Sequence, residues 1–96
     1  MNEMSQGPVT RDLQIINEKG LHARASAKFV ETVEKFEAKA TVEKDGMSVS
    51  GDSIMGLLML TAPRGSTIRV TTRGSQAHEL ADALSALVGD YFGEGM

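Results

Sequence analysis

The chain has no cysteine and no tryptophan, one tyrosine, three phenylalanines and two prolines among its 96 residues. Without cysteine there is no disulfide, no thiolate nucleophile and no Cys-based zinc site. The two histidines, His22 and His78, lie far apart, and neither has carboxylates at ligand spacing, so no metal site is expected. The shortage of aromatics removes the platforms on which single-stranded bases stack. A net charge of −3 removes the basic footprint of a nucleic-acid or acidic-membrane partner. No run approaches the ~18 apolar residues that a membrane span needs. Residues 1–8 have neither a basic region nor an apolar run, so they read as a polar tail rather than a signal peptide. A cytoplasmic protein is the expectation.

What is present fits one small domain. Hydrophobic content of 41% is ordinary for a globular chain, and this length allows one modest core. The domain is expected over residues 9–93, followed by a frayed C-terminal tail that includes 94–96. Val9, Leu13 and Ile15 fit one face of a first strand over 9–16. Phe29, Val30, Val33 and Phe36 recur at helical spacing, predicting a helix over 23–35. Ala38, Ala40 and Val42 alternate, as do Met47 and Val49, and Asp45-Gly46 between them signals a hairpin. Ile68, Val70 and Thr72 alternate as a fourth strand. Ala77, Leu80, Ala81, Leu84, Leu87, Val88 and Tyr91 mark one face of a last helix, with His78 on its polar side.

Two stretches stand apart. In Gly20-Leu21-His22-Ala23-Arg24 a glycine turn, a histidine and an arginine meet where the first long helix begins. The first N–H groups of a helix lack partners within it and carry partial positive charge, which suits an anion. A histidine there can take a phosphoryl group on a ring nitrogen, and Arg24 offers forked donors to phosphate oxygens. Taken alone, the same histidine also reads as a surface residue or a cap. The second stretch, Ser53-Ile54-Met55-Gly56-Leu57-Leu58-Met59-Leu60, is short and apolar nearly all round. It reads either as a buried turn of helix or strand, or as an apolar docking patch with Ile54, Met55, Leu57 and Leu58 as candidates.

The element order βαββαβα calls for an α+β fold: one four-stranded antiparallel sheet with helices on one face and water on the other. Strands one and two flank a crossover helix, which favours a split βαβ unit with another strand between them.

With that order, the two stretches together resemble the HPr family of phosphocarriers of the bacterial phosphotransferase system, and the nitrogen-branch members most of all. Gly20-Leu21-His22-Ala23-Arg24 is similar to the family's active-site signature and Ser53–Leu58 to its regulatory-serine signature. The resemblance covers residues 9–93 and implies the family's open-faced β-sandwich. It implies that His22 accepts a phosphoryl group at Nδ1 from enzyme I and passes it to an EIIA-type acceptor. It also implies that Arg24 holds the phosphoryl oxygens and that Ser53 is phosphorylated by an HPr kinase/phosphorylase. No metal or other cofactor is required on such a carrier, and a monomer is expected. Two features depart from the family: Ala25 replaces the usual proline, and Glu31 and Glu34 lie where sugar-branch members carry basic residues. The rival reading is a non-catalytic regulatory domain that docks through the Ile54–Leu58 patch, with His22 only a contact residue.

Overall fold

A computed structural model describes residues 7–96, so most of the expected N-terminal tail lies outside the described residues. The elements are β1 (Val9–Gln14), α1 (Ala23–Glu34), β2 (Lys39–Lys44), β3 (Met47–Ser50), α2 (Ile54–Met59), β4 (Thr67–Arg73) and α3 (Ala77–Gly89). A 3-10 turn follows at Tyr91–Gly93. All strand pairings are antiparallel and the spatial order is β1-β4-β2-β3. The last strand therefore inserts between the first two, the split βαβ arrangement that the chain order favours.

Alternation decides the two faces of the sheet. In β4, Ile68, Val70 and Thr72 are fully buried while Thr67, Arg69 and Arg73 are exposed. Asp45-Gly46 makes the β2–β3 turn with positive φ at both residues, 50° and 84°. On the polar face Asp12 and Arg69 stand opposite each other across β1 and β4, with Nε 2.9 Å from Oδ1. That hydrogen bond holds the Asp12 carboxyl below its ordinary value and the Arg69 guanidinium above its own.

The helices supply the other half of the core. Phe29, Val30 and Val33 from α1 and Leu80, Leu84 and Val88 from α3 join Ile15, Val42, Ile68 and Val70 in one cluster. Each large side chain fully buried here contributes about 1.5–3 kcal/mol of hydrophobic free energy. The C-terminal end of α1 is tied to the start of α3. The Glu37 N–H donates to Gln76 Oε1 at 2.7 Å, and the Gln76 N–H donates to the Glu37 carbonyl at 3.1 Å.

The structure corrects three expectations. β1 ends at Gln14 and α1 at Glu34, each slightly short of its expected end. Tyr91, expected on the buried stripe of α3, is exposed, and Phe92 is fully buried in its place. The chain leaves α3 with Tyr91 and Phe92 both in the left-handed region, at φ 57° and 53°. That reversal of direction breaks the helical register. The segment 93–96 is not frayed: the Met96 carbonyl accepts from the Glu18 N–H at 3.2 Å, and Glu94 is bonded to two residues of the β1–α1 connection. Among the described residues no helix is long and apolar enough to cross a membrane, and no cluster of metal-ligating side chains occurs.

Candidate functional site

His22 is the N-cap of α1. Its backbone is extended, at φ −79° and ψ −177°, and its carbonyl accepts the first helical bond, from Ser26 N–H at 2.8 Å. The ring does the work usually done by a Ser or Asp side chain: Nδ1 accepts from the Arg24 N–H at 3.2 Å. The first turn of α1 contains no acidic residue, so its partial positive end is not neutralised from within the helix. Gly20 makes this entry possible. Its φ is 67°, and a Cβ there would lie 2.6 Å from the Ala62 carbonyl oxygen. That carbonyl accepts from Leu21 N–H at 2.9 Å, so the loop after α2 props the loop that carries His22.

The other ring nitrogen faces the C-terminal segment. His22 Nε2 is hydrogen-bonded to Glu94 Oε2. The other carboxylate oxygen, Oε1, accepts from Asn17 Nδ2 at 3.0 Å, and the same nitrogen donates to the Gly20 carbonyl at 2.8 Å. Asn17 is fully buried. Burial alone would raise the Glu94 pKa. The hydrogen bonds from His22 and Asn17, with the nearby Lys28 charge, outweigh it and hold the carboxyl below its ordinary value. Lys28 Nζ donates to the Phe92 carbonyl at 2.7 Å. Glu18, Lys19, Arg24 and Lys28 line the shallow depression in front of the ring, which encloses about 500 Å³. His22 thus keeps Nδ1 toward the helix terminus and remains partly open, with 26% of its side chain exposed.

Arg24 is exposed on the rim of this depression, adjacent in sequence to the helix terminus. Ser53 is half-buried at the N-cap of α2, where its Oγ accepts from the Gly56 N–H at 2.9 Å. A Cβ at Gly56 would meet Val49 Cβ at 3.0 Å, so the glycine lets α2 lie close against β3. The apolar stretch divides in two. Ile54 and Met55 are exposed and Leu58 is half-buried, but Leu57 is fully buried in the core. Leu57 is therefore corrected from docking surface to core residue. Six residues make under two turns of helix, and only one of them points straight into the cluster.

The sequence pattern singled out none of Asn17, Lys28 and Glu94; Met59, inside the apolar stretch but not among its docking candidates, is 61% exposed. A large apolar residue just past the helical stripe, Phe92, anchors the chain end to the body, and Gly93 then allows it to turn.

Nitrogen at a helix terminus, basic neighbours and access from solvent suit the binding of an anionic group. Comparison with known proteins gives that group an identity. Residues 9–90 match the family model described as the PTS HPr component phosphorylation site. The phosphocarrier protein HPr of Neisseria meningitidis serogroup B is 46% identical over 85 residues, covering 88% of this chain and 96% of the relative. HPr of Cupriavidus necator is also 46% identical over 85 residues, with the same coverage. The crystal structure of HPr-C-His from Thermoanaerobacter tengcongensis superposes with a TM-score of 0.87 at 36% identity, covering 92% of this chain and 99% of that one. The protein is a phosphocarrier of the phosphotransferase system with a histidine phosphorylation site. It belongs to the HPr family.

Proposed function

We propose that His22 is the phosphoryl acceptor and that Nδ1 is the atom that carries the group. The observation behind this is the placement of Nδ1 at the N-terminus of α1, where it accepts from the Arg24 N–H at 3.2 Å. In the transfer, the Nδ1 lone pair attacks the phosphorus of a phosphohistidine on enzyme I. The donor's N–P bond breaks and its ring leaves with that bond's electron pair. The new N–P bond forms at Nδ1 while Nε2 keeps its proton. The Arg24 N–H, released from Nδ1, becomes a donor to a phosphoryl oxygen, and the Arg24 guanidinium supplies further donors from the rim. The group stays open to solvent, as a carrier visited by two partners in turn requires. The second transfer repeats the chemistry toward an EIIA-type acceptor.

Docking is assigned to Ile54, Met55 and Leu58, together with Met59. Flexible methionines suit a surface that must fit more than one partner. Ser53 is the regulatory phosphorylation site for an HPr kinase/phosphorylase, since it borders that surface. The acceptor is of the nitrogen or regulatory type. Glu31 and Glu34 are both exposed on α1, and they repel an acceptor whose docking face is acidic. The site of action is the cytoplasm, and no cofactor takes part on the carrier. The test is incubation with enzyme I and phosphoenolpyruvate. Wild type and His78→Ala take up one acid-labile phosphoryl group and His22→Ala takes none. Undiminished labelling of His22→Ala defeats the proposal.

A further inference from the structure

We propose that Glu94 is a positioning residue for phosphoryl transfer: through its contact with Nε2 it keeps the ring proton on that nitrogen and presents Nδ1 as the free nucleophile. The inference rests on the assignment of His22 as acceptor and extends it to a residue outside the 9–90 span of the family match. It stands on the bonding around the carboxylate. One oxygen faces His22 Nε2 and the other is fixed by Asn17, whose side chain is fully buried and whose amide nitrogen also holds the Gly20 carbonyl. The carboxylate is only 15% exposed, so water competes weakly for it. The segment bearing it is anchored on three sides: by buried Phe92, by Lys28 Nζ on the Phe92 carbonyl, and by the Glu18 N–H on the Met96 carbonyl.

A neutral imidazole carries one proton on either nitrogen, and the partner of one nitrogen decides the state of the other. An ionised carboxylate only accepts, so the nitrogen facing Glu94 must be N–H. The opposite nitrogen accepts from the Arg24 N–H and must be unprotonated. The two contacts agree on a single tautomer. The carboxylate has a second effect during transfer. When Nδ1 bonds to phosphorus, no proton leaves and the ring acquires positive charge shared with Nε2–H. A carboxylate against that N–H stabilises the charge as it develops. The other charged groups around the ring are Arg24 at the terminus of α1, Lys28 on α1, and Glu18 and Lys19 on the preceding connection. None of these contacts a ring nitrogen through its side chain among the described residues.

The test uses the whole chain with ring-¹⁵N-labelled histidine. Without any donor, the ring ¹⁵N shifts of wild type above pH 8 report an Nε2–H tautomer. Glu94→Ala shifts the population toward Nδ1–H. Glu94→Gln keeps the Nε2–H tautomer, because its carbonyl oxygen still accepts, but loses the charge. With enzyme I and phosphoenolpyruvate, Glu94→Ala lowers the maximal phosphorylation rate by about tenfold, the rate equivalent of one charge-assisted hydrogen bond, and leaves KM for the carrier nearly unchanged. Glu94→Gln falls between the two. Should Glu94→Ala disturb the core, the Gln variant alone decides, through its rate. An unchanged tautomer in a folded Ala variant, or a wild-type rate in both variants, overturns the role of Glu94. Failure of wild type to label on His22 instead defeats the acceptor assignment, and the donor-free tautomer measurement keeps the two failures apart.

Discussion

Gly20 meets the Ala62 carbonyl so closely that a Cβ on the glycine would stand 2.6 Å from that oxygen. The loop leaving α2 is thereby fitted against the loop that presents His22, and the Leu21 N–H seals the contact on the Ala62 carbonyl at 2.9 Å. Gly20→Ala adds a left-handed non-glycine residue and an overpacked contact with backbone that cannot move aside. The expected loss is about 2–4 kcal/mol of unfolding free energy by urea titration, with a parallel fall in His22 phosphorylation. A variant as stable as wild type would show that the two loops are free to separate.

On the proposed assignment, Arg24 is expected to act on the phosphoryl group more than on the fold. Its side chain is exposed, so Arg24→Ala changes stability by about 0.5 kcal/mol or less. The same variant slows transfer and alters the lifetime of the phosphohistidine. Arg24→Lys recovers only part of the rate, because lysine keeps the charge and loses the fork. Transfer at the normal rate by the alanine variant would make Arg24 a bystander.

Ser53 caps α2, and the regulatory role proposed for it is separable from that cap. As N-cap of α2, with Oγ 2.9 Å from the Gly56 N–H, it contributes about 1 kcal/mol that Ser53→Ala removes. Ser53→Asp keeps a capping oxygen and so keeps the fold. It also places a charge beside Ile54 and Met55, which a partner must bury, and its affinity for enzyme I is expected to fall below that of both wild type and Ser53→Ala. Titration calorimetry of the three proteins against enzyme I checks this. Equal affinities would leave Ser53 as a cap and nothing more.

Acid should loosen the segment that carries Glu94. Its carboxyl is held below the ordinary value in the folded protein. Its contribution is therefore fully present above the unfolded carboxylate pKa and is lost as pH falls through the lowered one. The stability gap between wild type and Glu94→Gln, measured by urea unfolding, is constant near neutral pH and closes across that acidic window. A gap that persists unchanged below it would mean that the Glu94 charge does not bind the segment to the body.

The fold was legible where a pattern is local. The alternation of Ile68, Val70 and Thr72, the Asp45-Gly46 turn, and the stripe of Phe29, Val30 and Val33 each need only neighbouring residues, and together they specify the sheet and its helices. His22 and Arg24 were legible as candidates because they share one junction. The partition of α2 was not, since a six-residue apolar helix has too few turns for periodicity to separate Leu57 from Ile54 and Met55. Glu94 was hidden for a different reason. It meets His22 across 72 positions of sequence, and the left-handed backbone that brings it back is supplied by Tyr91 and Phe92, residue types that seldom adopt it.

Nδ1 of His22 is the atom proposed to carry the phosphoryl group. The most direct measurement is ³¹P–¹⁵N correlation on ring-¹⁵N-labelled protein phosphorylated by enzyme I and phosphoenolpyruvate. The expected result is one phosphorus coupled to Nδ1 of His22, with Nε2 still bearing its proton. Phosphorus coupled to Nε2, or to a ring of His78, would contradict it.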